Sequence, residues 1–514
     1  MSLISLASVK MASSSFSSVV ARLNGLMTTT TTATTHFLKK APAAATTSSS
    51  FMMMMSSTPR RSIKVLAALY PDPLCGYPPE YARTNVPTIK DTYADGTRLP
   101  TPKSKPEYTP GELLGCVSGE LGLRSFLEKQ GHTLVVTSDK DGEESEFEKH
   151  LHDADVVISQ PFWPAYLDEA RLAKAKKLQL VITAGVGSDH VDLEACKSPG
   201  VQSGRLRVHS SGTTSKEEEK KKTQQNSDEN KPPITVAEVS FCNSISVAEH
   251  VVMLVLVSVR NFVNSHEMAR VTSNGTQKSM CGAYDDGWNI ADLVQRAYDL
   301  EGMHVGTVGA GRIGLAVLRR LKPFDVTLHY TDFHRLDKSV EQELNLTFHE
   351  TPQELAQACD VITINCPLHS GTENLFDDDM IRNHMRRGAY LINTARGLIV
   401  DRDAVVRALN DGHLSGYGGD VWFPQPAPLD HPWRTMPWSC LTPHMSGSTL
   451  SAQARYAAGV REILECFLAK KPIRDEYLIV HGGRLAGAGR HSYIQDCHRK
   501  VEDEEWEEIH GIPA

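Results

Sequence analysis

A histidine that takes a proton from a substrate hydroxyl is normally oriented by a carboxylate, which stabilises the imidazolium that forms. In "DVWFPQPAPLDHPWRTMPWSCLTPHMSG" the candidate partner of His444 is Gln425, a neutral amide nineteen positions upstream. An amide can fix a ring's tautomer by hydrogen bonding without raising its pKa as a carboxylate would. The pair suits a reaction that needs the histidine held in place but uncharged. Two further segments carry polar residues just after a strand-like run. "AYLINTARG" gives Asn393, Thr394 and Arg396, and "SGYGGDVW" gives Asp420; "CLTPHMSG" adds Ser446 beside His444. Singly, Arg396 reads as a surface loop residue and His444 as a hydrogen-bonded structural one. Together, at the ends of parallel strands, they are placed to converge on one crevice.

What they would converge on is indicated by "MHVGTVGAGRIGLAVLRRLKPF". An apolar strand runs into Gly309, Gly311 and Gly314, spaced GxGxxG, and a helical pattern follows. The first glycine allows the tight turn, the second lets backbone approach a pyrophosphate, and the third lets helix pack on strand. A second strand, "VTLHYTD", ends at Asp332, whose carboxylate would bind ribose hydroxyls and repel a 2′-phosphate. That favours NAD over NADP. Arg335, three positions on, is the cation expected to assist NADP if Asp332 is removed.

The elements that must position these residues alternate strand and helix. "IKVLAALYPDP", "HTLVVTSD", "ADVVISQPF", "LQLVITAGVGSDH" and "ITVAEVSFCNS" read as strands separated by charged, helix-favouring segments, which argues a parallel α/β domain. "SVAEHVVMLVLVSVR" reads as a buried helix, too short and too charged at its flanks for a bilayer span. Residues 201–233 are polar, low in complexity and blocked in charge, as expected of a solvated insertion. A second polar stretch, "VTSNGTQKSMCGAYDD", follows the long helix.

The chain of 514 residues suits two or three domains, and its net charge of −8 lacks a basic stripe. Neither nucleic acid nor a membrane is an expected partner; a small molecule is. Ten cysteines without a CxxC pair imply a reducing compartment, with no disulfides and no metal site expected. No Asp or Glu occurs up to Pro71, while Lys and Arg are scattered among Ser, Thr, Ala and Met. Residues 1–62 therefore match an organelle transit peptide, mitochondrial with chloroplast as the alternative, the bland reading being an untargeted disordered tail.

From about Ile63 to Tyr493 the chain resembles NAD-dependent formate dehydrogenases of the D-2-hydroxyacid dehydrogenase superfamily. The resemblance rests on "SQPFWPAYL", "AGVGSDHVDL", "CNSISVAEHVV", "VGAGRIG", "NTARG", "DVWFPQPAP.DHPWR" and "TPHMSG.T". In the wider superfamily the histidine is paired with glutamate; formate dehydrogenases carry glutamine, as Gln425 does. The chemistry accounts for the difference: formate has no hydroxyl proton, so no base is required. The resemblance implies an α/β fold of two doubly wound parallel-sheet domains, a Rossmann-type coenzyme domain inserted in a discontinuous substrate domain. Its boundaries would be 63–243 for the substrate domain, 244–450 for the coenzyme domain and 451–514 for the return and a divergent tail.

The resemblance further implies that Arg396 clamps formate with its planar fork, helped by Asn243 and backbone near Val186 and Gly187, with His444 adding a contact. Pro161 and Phe162 would wall the pocket. Contacts to NAD would come from Gly309, Gly311, Arg312, Ile313, Gly314, Asp332, Pro367, Asn393, Thr394, Asp420, His444, Ser446 and Gly447. A homodimer supported by the long helix is expected. Phe333 stands where the family commonly has arginine, residues 201–233 interrupt a stretch that is continuous in the family, and the tail past Tyr493 departs from the family's. The insert is read as a real loop or a translated intron. A dehydrogenase for a larger 2-hydroxy acid would prefer glutamate in place of Gln425 and a roomier pocket. A non-catalytic NAD-binding regulator would not be expected to keep Asn243, Arg396, Gln425 and His444.

Overall fold

A computed structural model describes residues 61–70, 120–198, 232–269 and 290–493. Apart from their last two residues, the expected leader 1–62 and insert 201–233 lie outside the described residues. So do the second polar stretch and the tail past Tyr493.

The described residues form two seven-stranded sheets. The first is built on β1 (Lys64–Ala68), β2 (Thr133–Thr137), β3 (Val156–Ser159), β4 (Leu180–Thr183) and β5 (Thr235–Glu238). These five strands are parallel, in the order β5-β4-β3-β1-β2. The order reverses between β1 and β3, so the loop after β3, with the loop after β4 beside it, borders the crevice where a doubly wound sheet takes its ligand. Every residue of β3 and β4 is buried, as strands covered on both faces must be.

The second sheet contains β6 (His304–Val308), β7 (Thr327–Thr331), β8 (Leu346–Phe348), β9 (Val361–Ile364), β10 (Ala389–Asn393), β11 (Leu414–Gly419) and β12 (Ser439–Leu441). All are parallel, ordered β12-β11-β10-β9-β6-β7-β8. The switch point falls between β6 and β9, with the glycine-rich turn at its mouth.

Helix Ser244–Val259 buries Val247, Ala248, Val251, Leu254, Val255 and Val259 in the core of the second sheet. Each of these valines and Leu254 contributes about 1.5–3 kcal/mol on burial. Among the described residues no single helix is long and apolar enough to cross a membrane. Helix Leu450–Ala469 starts at a Thr449 cap and stops at Lys470 in the left-handed region. It carries the chain back to the first sheet, whose core takes Ala452, Tyr456, Val460, Ile463 and Leu464. There β13 (Leu478–His481) pairs antiparallel with β5, and β14 (Arg484–Leu485) with β13. The parallel sheet expected from the sequence therefore carries an antiparallel margin. A strand arriving from the distant end of the chain is free of the crossover that makes neighbours parallel.

Just after the polar run 201–233, Ile234 N–H donates to Cys196 O at 2.9 Å, which ties together described residues on either side of the run. Joining Gly200 to Ile234 should leave a folded, soluble protein. Loss of soluble protein on deletion would show the insert to be structural.

Three imidazoles form a chain across β6, β7 and the residue after β8. His304 Nδ1 lies 2.8 Å from His329 Nε2, and His329 Nδ1 lies 3.0 Å from His349 Nε2. Burial holds His329 down to about 4 and lowers His349. An unfolded histidine binds its proton near 6.5 while these folded ones do not, so the stability they confer is complete above about pH 6.5. It declines as the pH falls from there toward 4. The melting temperature should fall between pH 7.5 and pH 5, and His329→Gln should flatten that slope. An unchanged slope would exclude the imidazole chain as its source.

Candidate active site

His444 stands in the loop after β12 with φ +57°, a left-handed conformation that non-glycine residues seldom adopt. The loop is fixed by Asp420, at the end of β11. Its carboxylate accepts from Thr442 Oγ1 at 2.6 Å, Met445 N–H at 2.8 Å and Ser446 N–H at 2.9 Å. Asp420 thus frames the histidine. His444 Nδ1 is 2.8 Å from Gln425 Oε1, and Gln425 Nε2 donates to Phe162 O at 2.9 Å. A carbonyl only accepts, so the amide must turn its oxygen to the ring, and Nδ1 carries the hydrogen. Burial, helped by Arg396, depresses the imidazole pKa to about 4 against the opposing pull of Asp420 and Asp189. At neutral pH the ring is uncharged, and Nε2 bears a lone pair.

Arg396 is presented by the turn after β10. Asn393 Nδ2 donates to Arg396 O at 2.9 Å, and Asn393 Oδ1 accepts from Ala395 N–H at 3.0 Å. The Asn393 side chain, expected to contact a nicotinamide, bonds to this turn through both its polar atoms. Thr394 beside it keeps a buried Oγ1 without a partner among the described residues. The guanidinium crosses to the first sheet. Nε donates to Asp189 at 2.7 Å, Nη1 to Ala395 O at 2.7 Å and Nη2 to Val186 O at 3.1 Å. Three of five N–H groups are spent, leaving one on each terminal nitrogen, the spacing a carboxylate requires. Although burial opposes both charges, the pair holds the Asp189 carboxyl below its ordinary range and Arg396 above its own.

Opposite stand the loops of the first sheet. A Cβ on Gly187 (φ +103°) would lie 1.6 Å from Arg396 Nη2, so only glycine fits there. In the stretch Val186–Gly187, whose backbone is expected to help hold substrate, the Gly187 N–H donates to Glu238 Oε2 at 3.0 Å. Glu238 also takes Ser188 Oγ at 3.2 Å, and burial raises its pKa. Ser188 N–H donates to Tyr493 Oη at 2.7 Å. Asp189, Glu238 and Tyr493 escaped the sequence reading. Asn243, 8 % exposed, keeps a buried Oδ1 without a partner among the described residues, and its Nδ2 lies close to Gly447. Phe162 is buried, edge-on to His444 with ring centroids 6.3 Å apart. Pro161 lies on Gly185, where a Cβ would meet its ring at 2.6 Å.

The glycine-rich turn after β6 has the shape of a dinucleotide cradle. A Cβ on Gly309 (φ +89°) would meet Cys366 N at 2.7 Å, and one on Gly314 would meet Gly309 O at 2.0 Å. A Cβ on Gly311 would meet nothing within 4 Å. The turn is closed on the protein side and open outward, where the N-terminus of helix Arg312–Leu321 has no side-chain cap. Arg312 lies over Phe241 at 3.3 Å from the ring centroid, and Ile313 packs on the core below. Asp332 follows β7, accepting from Ala310 N–H at 2.6 Å and His334 N–H at 3.1 Å. Pro367, exposed beside Cys366, follows β9. These residues fit NAD. Among the described residues no group of side chains could hold a metal ion.

Two doubly wound sheets, an open dinucleotide turn and an arginine–histidine pair in the cleft define an NAD-dependent dehydrogenase of the D-isomer specific 2-hydroxyacid type. That family's NAD-binding domain model matches residues 252–446 and its catalytic domain model residues 120–212. Within this group the chain belongs to the formate dehydrogenase family. It is 60% identical over 430 residues to the formate dehydrogenase of Pseudomonas sp. (strain 101), covering 84% of this chain and 95% of that one. An Arabidopsis thaliana relative named "Formate dehydrogenase, chloroplastic/mitochondrial" is 43% identical over 374 residues, covering 73% of this chain and 85% of its own. The solved Granulicella formate dehydrogenase superposes with TM-score 0.70 at 58% identity, covering 82% of this chain and all of that one. A Staphylococcus aureus NAD-dependent formate dehydrogenase, solved with NAD, gives 0.60 at 36% identity, covering 82% of this chain and all of that one.

Proposed function

We propose that this chain oxidises formate to carbon dioxide with NAD through a pocket that positions the anion and demands no proton transfer. The carrying observation is the His444–Gln425 pair, 2.8 Å apart, with a neutral ring. A hydroxy acid would surrender a hydroxyl proton along with its hydride; formate surrenders only hydride. When bound, NAD supplies the nicotinamide C4 that receives it.

Arg396 offers its two remaining N–H groups to the formate oxygens, and the Asn243 amide and Val186 backbone stand beside them. Because the neutral His444 ring has already given its hydrogen to Gln425, its Nε2 cannot donate to an anion. Its contribution is to hold the substrate's orientation by shape. Phe162 and Pro161 keep the pocket small and dry, which favours formate over a larger 2-hydroxy acid. Charge leaves the carboxylate as the hydride departs, so the site works by positioning more than by stabilising charge.

In this reading residues 63–243 and 451–514 form the substrate domain and 244–450 the coenzyme domain. Asp332 faces the adenosine ribose, and Thr394, Ser446 and Gly447 border the nicotinamide. The leader 1–62 directs the chain to an organelle, the mitochondrion being the reading preferred. Two copies pair through the apolar surface around Met253, Phe262, Ile290, Val294 and Tyr298, all exposed here. Light scattering tests the pairing: a monomer at micromolar concentration would refute it. The direct assay of function is NADH formation from formate and NAD by purified protein, full-length and starting at Ile63. Absence of NADH from both would overturn the proposal.

A further inference from the structure

Coenzyme choice in a dinucleotide fold turns on two things at the end of the second strand: an acid that repels a 2′-phosphate, and a cation that would receive one. Asp332 supplies the first. The second is present in the sequence as Arg335, and its environment decides whether it can act. Arg335 Nε donates to Glu341 Oε1 at 2.8 Å and Nη2 to Oε2 at 3.1 Å, a bidentate pair. The guanidinium also lies over Phe348, 4.9 Å from the ring centroid. Glu341 sits on helix Lys338–Leu344 and accepts a third hydrogen bond, from Tyr330 Oη at 2.6 Å. Tyr330 is fully buried at the end of β7, and its oxygen takes Leu336 N–H at 3.0 Å. Arg335 is itself more than half exposed, whereas the Glu341 side chain is largely covered.

We propose that Glu341, held by Tyr330, is a second determinant of NAD preference: it withholds Arg335 from the place a 2′-phosphate would occupy. The loop geometry keeps the arginine near enough to matter. Asp332 Oδ1 closes a turn on His334 N–H, so Arg335 emerges one residue beyond the ribose acid's own hydrogen bond. Facing a bidentate carboxylate and an aromatic ring, it has no reason to leave. On this proposal Arg335 does not stand ready to assist NADP while Glu341 holds it. Removing Asp332 takes away repulsion but releases no cation. Glu341 touches neither coenzyme nor substrate; it is a positioning residue acting through Arg335.

This inference rests on Asp332 facing the adenosine ribose, and the experiment separates the two claims. Binding of 2′,5′-ADP and of 5′-AMP is measured by calorimetry on the full chain, which needs no turnover, alongside KM and kcat with NADP and formate. Asp332→Ser should tighten 2′,5′-ADP relative to 5′-AMP. Adding Glu341→Gln, which keeps an acceptor for Tyr330, should tighten it by a further tenfold or so. KM for NADP should fall in step, with kcat and the KM for formate unchanged. Adding Arg335→Ala should erase that second gain. If Glu341→Gln adds nothing beyond Asp332→Ser, or if the gain survives Arg335→Ala, Glu341 does not act in this way. If Asp332→Ser itself leaves the ratio unchanged, the ribose placement fails and the inference with it.

Discussion

Arg396→Ala lowers kcat/KM for formate by about a hundredfold to ten-thousandfold while NAD still binds. Each charge-assisted hydrogen bond contributes about 1.5–3 kcal/mol, and the variant loses two to the substrate at once. It also strands Asp189. That carboxylate, now facing Arg396 Nε at 2.7 Å, would be left as an uncompensated negative charge beside an anion's site. Arg396→Lys should recover little, because a point charge cannot reproduce a fork already shared among Asp189, Ala395 O and Val186 O. Calorimetric titration of NAD into each variant checks the second half of the expectation. Near-normal kcat/KM in the alanine variant would mean that the clamp lies elsewhere.

The sequence made legible what is local. Apolar runs marked β1, β2, β3, β4, β5, β6, β7 and β10 close to their observed spans, most clearly in β3 and β4, where a strand buried on both faces is apolar almost throughout. The glycine spacing identified the turn at Gly309 for the same reason: backbone geometry there admits no side chain. What could not be read is convergence across the cleft. Arg396 reaches Asp189 over 207 positions, and Tyr493 reaches Ser188 over 305. No periodicity encodes such a meeting. Asp189 was in plain view within "AGVGSDHVDL", yet an acid in a loop is ordinarily a solvated one.

Asn393 and Gly187 carry polar groups at strand ends that look available for a ligand; the turn that presents Arg396 engages the Asn393 amide, and Glu238 engages the Gly187 N–H. Buried backbone and amide groups must find partners, and in a crowded loop the nearest partner is the protein. Arg335 follows the same logic, having been captured by an acid six residues on.

The central claim is that the histidine is positioned, not protonated. Gln425→Glu tests it by restoring the carboxylate that a base would need. A carboxylate oxygen in place of Gln425 Oε1, 2.8 Å from Nδ1, favours the imidazolium and raises the pKa of a ring now near 4. The replacement of Nε2 also sets an oxygen against Phe162 O, so the introduced carboxylate and His444 share protons and titrate as a pair. The variant should gain no rate with formate, since there is no proton to remove. It should gain slight activity in reducing 2-keto acids, where a protonated histidine can donate, within the limit set by Phe162. The deciding measurement is kcat/KM for formate from pH 6 to 10 in both proteins. The native profile should be flat across that range, and the variant should acquire a limb near neutrality where His444 changes charge. Superimposable profiles would contradict the assignment, because they would mean that Gln425 does not govern the protonation of His444.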